Sequence, residues 1–136
     1  GDSIQALGKS RLKDSVNAAI HRDIEDVRRI IASWKADVSM QTNGQLAYLP
    51  DKIQCENGTL ATAFLSESSN TLPASLNLNL SSIKTPLRNL IVLRTIEEVS
   101  GNANLIQVNY TTIGNTSLKT EANTTLTIPA QGWCPT

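Results

Sequence analysis

The sequence predicts an α+β fold in which one long N-terminal amphipathic helix packs on an antiparallel β-sheet. Three observations predict it. Residues Arg11 to Lys35, RLKDSVNAAIHRDIEDVRRIIASWK, contain neither Pro nor Gly and carry apolar side chains at helical spacing. From Thr42 onward the chain breaks into short runs separated by turn signals every 8–15 residues, which reads as an antiparallel meander with no second helical period. Of the 39 Asn, Thr and Ser residues, 34 lie from Ser39 onward, so composition changes where the period changes. The organisation expected is residues 1–38 as the helix and 39–136 as a β-rich head, together one domain of 136 residues.

Within the helix, Leu12, Val16, Ile20, Ile24, Val27, Ile31, Trp34 and Val38 follow one another at intervals of three or four. That is a single stripe at the 3.6-residue period, widened by Ala19 and Ile30. Leu12, Val16, Ile20, Ile24, Val27, Ile31 and Trp34 are the candidate helix–sheet packing residues. The opposite face carries Lys13, Arg22, Asp26 and Arg29, with Glu25 ahead of Arg29 in the favourable i,i+4 order. Asp2 to Gln5 has the form of a capping box, and Gly8 interrupts the early part, so the helix is predicted firmly over Lys9–Asp37. At that length it spans roughly 43 Å and outruns the sheet of a small domain. Its N-terminal end is therefore expected to protrude or to meet a partner. The charged run HRDIEDVRR reads as a solvated face with local ion pairs, and His21 as a surface or boundary residue rather than a ligand or base.

In the second half, LPASLNLNLSSI gives the clearest alternation: Leu72, Ala74, Leu76, Leu78 and Leu80 are spaced to bury one strand face. NLIVLRTIEEV and NLIQVNYTTI flank the Gly/Asn turn SGNA as a hairpin, with Ile106, Val108 and Tyr110 on one face. Further strands are predicted at GQLAYL, GTLATAFL, SLKTE and NTTLTIPA, with SESSNTLP as a loop and TPLRN as a turn. Five sequons, at Asn57, Asn79, Asn109, Asn115 and Asn123, are candidate glycan acceptors in a eukaryotic secreted chain. Two of them fall mid-strand, so the reading adopted is that they arise from an Asn- and Thr-rich composition.

Twelve basic and twelve acidic residues cancel, so no global field draws nucleic acid or anionic lipid. The cysteines, Cys55 and Cys134, have no His-rich or CxxC context that would suggest a metal. They are either two free thiols or one disulfide. Cys134 stands two residues from the end, where a frayed terminus gains most from a staple, so a disulfide and an oxidising compartment are predicted. The first ten residues are too polar for a signal peptide, and no apolar run approaches ~18 residues. The expectation is a mature form, or a chain cut ahead of Gly1.

A long amphipathic helix, an antiparallel sheet packed on it, and a C-terminal cysteine tied to an earlier loop resemble a type IV pilin-like subunit. The helix SRLKDSVNAAIHRDIEDVRRIIASW followed by a Thr/Asn-rich sheet is most similar to a minor pilin or pseudopilin. The resemblance is one of layout and covers the whole chain. It implies a structural subunit of a bacterial type IV pilus or related filament, with other pilin subunits as partners. It also implies an inner-membrane anchor through a hydrophobic segment ahead of Gly1, a place in the extracellular pilus after assembly, and an unassigned surface ligand for the head. Ile4 and Leu7 would then be filament contacts.

Two rival classes are weighed against this. Catalysis would have to use carboxylates or hydroxyls, yet Glu97 and Glu98 are adjacent on a strand and point to opposite faces. There is no GxSxG, phosphate-cradling Gly loop or metal-ligand spacing, so no catalytic, cofactor-binding or metal residue is predicted. A monomeric secreted binding or inhibitory domain of cystatin-like layout also wraps a sheet round a helix, but IQVNYTT lacks the glycine of that family's Gln-x-Val-x-Gly motif. A nucleic-acid-binding loop cluster is not supported either. Beyond residue 38 the basic residues are the scattered Lys52, Lys84, Arg88, Arg94 and Lys119.

Overall fold

The computed structural model of the protein describes residues 2–42, 45–78, 91–113 and 121–135, with side chains described throughout these except at 2–12, 38–42, 45 and 103. It is α+β, with an N-terminal helix and antiparallel sheets. Helix α1 runs over Asp2–Ser33, about 48 Å at the standard rise. Its stop is earlier than the period predicts, and Val38 belongs to a strand rather than to the helix. Lys35 takes φ 59, the left-handed position that ends many helices. With a lysine there instead of Gly or Asn, the stop signal was hidden. Beyond it, strand β1 (Ala36–Thr42) pairs antiparallel with β2 (Gln45–Tyr48), Ala36 opposite Tyr48. That pairing overrides the last step of the apolar stripe. Tyr48 Oη donates to the Ala32 carbonyl at 2.8 Å and the Leu49 N–H donates to the Lys35 carbonyl at 2.8 Å, tying the hairpin to the end of α1.

Two helices stand where the sequence predicts only strands and loops. α2 (Lys52–Asn57) is closed by Gly58 at φ 64. The Thr59 N–H reaches the Gln54 carbonyl and the Gly58 N–H that of Cys55, at 3.0 and 3.3 Å, the Schellman pattern. α3 (Leu60–Glu67) replaces the strand predicted at GTLATAFL, and buries Leu60, Ala61 and Phe64. These positions have helical spacing, but eight residues are too few for the period to declare itself against the strand-like run TLATAFL.

The main sheet is an antiparallel meander in the order β3 (Ser75–Asn77), β4 (Ile91–Val99), β5 (Asn102–Ile113), β6 (Glu121–Thr127). The β4–β5 turn places Gly101 at φ 76, a conformation that favours glycine. β3 corrects the strongest strand prediction. It is a three-residue edge strand, exposed throughout, with Leu76 38% accessible and Ala74 exposed as well. Leu72 is buried just before it, and Leu78 packs on the core from just beyond it. An edge strand has neighbours on one side only, so perfect alternation does not ensure a covered face. Leu80, the turn TPLRN, Asn79, Asn115 and most of SLKTE lie outside the described residues.

The core lies between α1 and the inner sheet face. Val16, Ile20, Val27 and Ile31 of α1 join Val92 and Ile96 of β4, Ile106, Val108 and Tyr110 of β5, and Leu126 of β6. Phe64 of α3 closes one end of this layer, with the Trp34 ring edge-on to it at 5.5 Å. After β6 a 3₁₀ turn, Pro129–Trp133, leads to Cys134, which is bonded to Cys55 with a Cα–Cα distance of 5.8 Å.

Candidate functional site

The most organised polar constellation lies inside the helix–sheet layer. Asp23 follows Ile20 by three residues and precedes Val27 by four, which turns it toward the sheet with the apolar stripe. Arg94 sits between Val92 and Ile96 two residues away on either side, so strand parity points it inward, and it is only 3% accessible. Tyr110 is its partner across the β4–β5 ladder. The three groups meet. Arg94 Nη1 donates to both Asp23 carboxylate oxygens at 3.0 and 3.3 Å, and Arg94 Nη2 donates to the Pro73 carbonyl at 3.1 Å. Tyr110 Oη donates to Asp23 Oδ2 at 2.6 Å.

The physics of this cluster is that of a clamp. Burial is the first cause that pushes the Tyr110 hydroxyl far above the usual phenol range, and the bond to the Asp23 carboxylate and that group's charge add to it. Tyr110 therefore stays protonated and remains a donor. Arg94 Nε is buried with no hydrogen-bond partner among the described residues, where the guanidinium is held by Asp23 and Pro73. The cluster joins α1, β4, β5 and the segment before β3.

An open polar depression of about 460 Å³ lies elsewhere, lined by Gly58, Thr62, Glu98 and the β4–β5 turn. There the Thr62 hydroxyl donates to Glu98, while Glu97 accepts from Asn109 Nδ2 at 3.3 Å, so the adjacent glutamates serve different neighbours. Among the described residues no group of three His, Cys, Asp or Glu could hold a metal ion. No described helix is long and apolar enough to cross a membrane.

Of the residues singled out from sequence, Val16, Ile20, Val27 and Ile31 are buried in the core, and Ile24 and Trp34 pack on it half-buried. Trp34 does so from the turn after α1. The side chains of Ile4, Leu7 and Leu12 lie outside the described ones, although all three residues belong to α1. His21 is exposed. On α1 the described surface ion pairs are Arg28 with Glu25 and Arg29 with Asp26, both i,i+3, rather than Glu25 with Arg29. Sequence reasoning missed the Asp23–Arg94–Tyr110 cluster by counting Arg94 among scattered surface charges. The signal was there: a lone cation at the inward parity of IVLRTI demands a buried partner.

At the outer rim, Lys35 Nζ bridges Asp51 and Glu67 at 3.4 and 3.5 Å, where α1, the hairpin and the end of α3 converge. Comparison with protein-family models, with curated proteins and with solved structures finds no match to this chain.

Proposed function

We propose that the protein is a structural subunit of a type IV pilus or related filament, of the minor pilin or pseudopilin kind. It assembles through the N-terminal part of α1 and displays the β-rich head. The observation that carries this reading is the relation between α1 and the head. A 32-residue helix leads the chain, and from Val16 to Ile31 its described apolar side chains pack on one face of an antiparallel sheet. Over that stretch it is locked to the sheet by apolar packing and by the buried Asp23–Arg94 pair. A long leading helix packed along an antiparallel sheet is the layout that a pilin-like subunit would share. The Cys55–Cys134 disulfide, which suits an extracellular setting, supports the same reading.

Leu7→Asp tests it. In the filament reading this side chain is not needed to fold the head, so the melting temperature of the 136-residue chain stays within about 2 °C. In the full-length protein the same change blocks incorporation into filaments, because an unpaired carboxylate would have to be buried in a helical core. A secreted monomeric domain gives the opposite result, a loss of stability in the isolated chain or no effect in any assay.

A further inference from the structure

The polar depression between α3 and the β4–β5 turn holds a carboxylate in an unusual place. Glu98 stands opposite Ile106 across the ladder, and Ile106 is fully buried. Cross-strand partners share a face, so Glu98 occupies a core-facing position, which strand parity usually gives to an apolar side chain. The sheet opens at this point. Glu98 faces Ile106 but Val99 faces Asn102, so residues 103–105 of β5 have no partner on β4. Register breaks of this kind re-aim the side chains beside them. Here the break leaves Glu98 exposed and lining the depression together with Thr62, Ser100 and Asn102. Among the described residues Glu98 accepts from the Thr62 hydroxyl and forms no ion pair. No Lys, Arg or His lines the depression.

We propose that this depression binds a primary ammonium group, at a site that does not depend on the filament reading. An ammonium carries one positive charge and three donors, with no acceptor to satisfy. The lining supplies the counterpart. Glu98 contributes charge and lone pairs, the Ser100 hydroxyl accepts, and the Asn102 amide oxygen is oriented by the Asn104 N–H at 3.4 Å. A concave wall bearing charge of one sign also concentrates its counter-ion. Calcium suits the site less well, since it takes roughly six to eight oxygen ligands and several carboxylates. Among the described residues no group of three His, Cys, Asp or Glu meets that need. The volume, about 460 Å³, exceeds what an ammonium fills and admits the organic body that carries it. The ligand class is therefore a small organic amine or a lysine side chain. Water reaches the whole site, so one charge pair gives weak binding, in the millimolar range.

Chemical-shift titration of the isotope-labelled 136-residue chain tests this. At constant ionic strength, n-butylammonium should move the backbone amides of Glu98, Ser100, Gly101 and Asn102 to saturation. Tetramethylammonium has the same charge but no N–H donor, and should bind at least ~tenfold more weakly. Glu98→Gln keeps the side chain's shape and still accepts from Thr62, yet it should weaken butylammonium by ~tenfold or more, since a charged acceptor is lost. Thr62→Val separates ligand binding from a structural role. It frees a carboxylate oxygen, so affinity should hold or rise, whereas a Thr62–Glu98 bond that merely shapes the turn predicts the same loss in both variants. Circular dichroism confirms that each variant is folded. The proposal is overturned by shifts that do not saturate, by an equal response to tetramethylammonium, or by undiminished affinity in Glu98→Gln. Nα-acetyl-lysine amide in the same titration names the source. Binding as tight as that of butylammonium assigns the site to a lysine side chain, and its exclusion assigns the site to free amines.

Discussion

Arg94 decides the balance of forces at the middle of the molecule. A guanidinium taken out of water costs several kcal/mol, and Asp23, Tyr110 and the Pro73 carbonyl recover that cost only as a set. Arg94→Met alone should therefore destabilise the chain by about 3–5 kcal/mol, because it strands the Asp23 carboxylate. Adding Asp23→Leu should recover most of that loss in chemical denaturation, as two apolar side chains need no partners. No recovery in the double variant would mean that the pair contributes more than it costs. Tyr110 gives the cluster a pH signature. Its folded pKa lies above the ordinary value of 10.0, so unfolding lets the phenol lose a proton that the fold retains. This contribution is fully present below about pH 10 and is lost as pH rises from there toward the folded value. Wild-type stability should fall more steeply above pH 10 than that of Tyr110→Phe; equal slopes would show that the phenol is not held protonated by the fold.

The elements divide by length into those the sequence announces and those it conceals. The α1 stripe is legible because Val16, Ile20, Val27 and Ile31 repeat over several turns, and all four are buried. β4 and β5 are legible because Val92 and Ile96, and Ile106, Val108 and Tyr110, alternate into a face that is covered. α2 and α3, with 6 and 8 residues, are too short for periodicity, and Gly58 served as a helix cap where it reads equally as a strand boundary. In the LPASLNLNL run, the pattern would bury Ala74 and Leu76, yet both are exposed, while Leu72 and Leu78 on either side of them reach the core. Equal weight for Ile24 and Ile31 in the stripe also needs correction. Ile31→Ala, at a fully packed position, should cost about 2–5 kcal/mol, whereas the half-buried Ile24→Ala should cost distinctly less. Thermal unfolding of the two variants checks the order, and a larger loss at Ile24 would contradict the packing described.

At the scale of the whole molecule, the candidate site was legible in part. The disulfide and the packing stripe could be read from residue types and spacing. The buried clamp could not, because it joins segments far apart in sequence. Asp23 and Arg94 are 71 residues apart, and Asp23 and Tyr110 are 87 apart. The covalent link also divides the chain mechanically. Cys55 and Cys134 are 79 residues apart, enclosing α3 and the whole four-stranded sheet, while α1 and the β1–β2 hairpin lie outside the loop. A pull applied between the two chain ends runs along α1 and the hairpin and then crosses the sulfur bridge, leaving the enclosed sheet off the path. Oxidised molecules stretched in this way should pay out about 280 Å less chain than reduced ones, at ~3.6 Å per residue. Under tension the helix would be drawn off the sheet, with the Asp23–Arg94 pair sheared at its middle, while the enclosed strands keep their ladder as a folded remnant on which the helix can dock again.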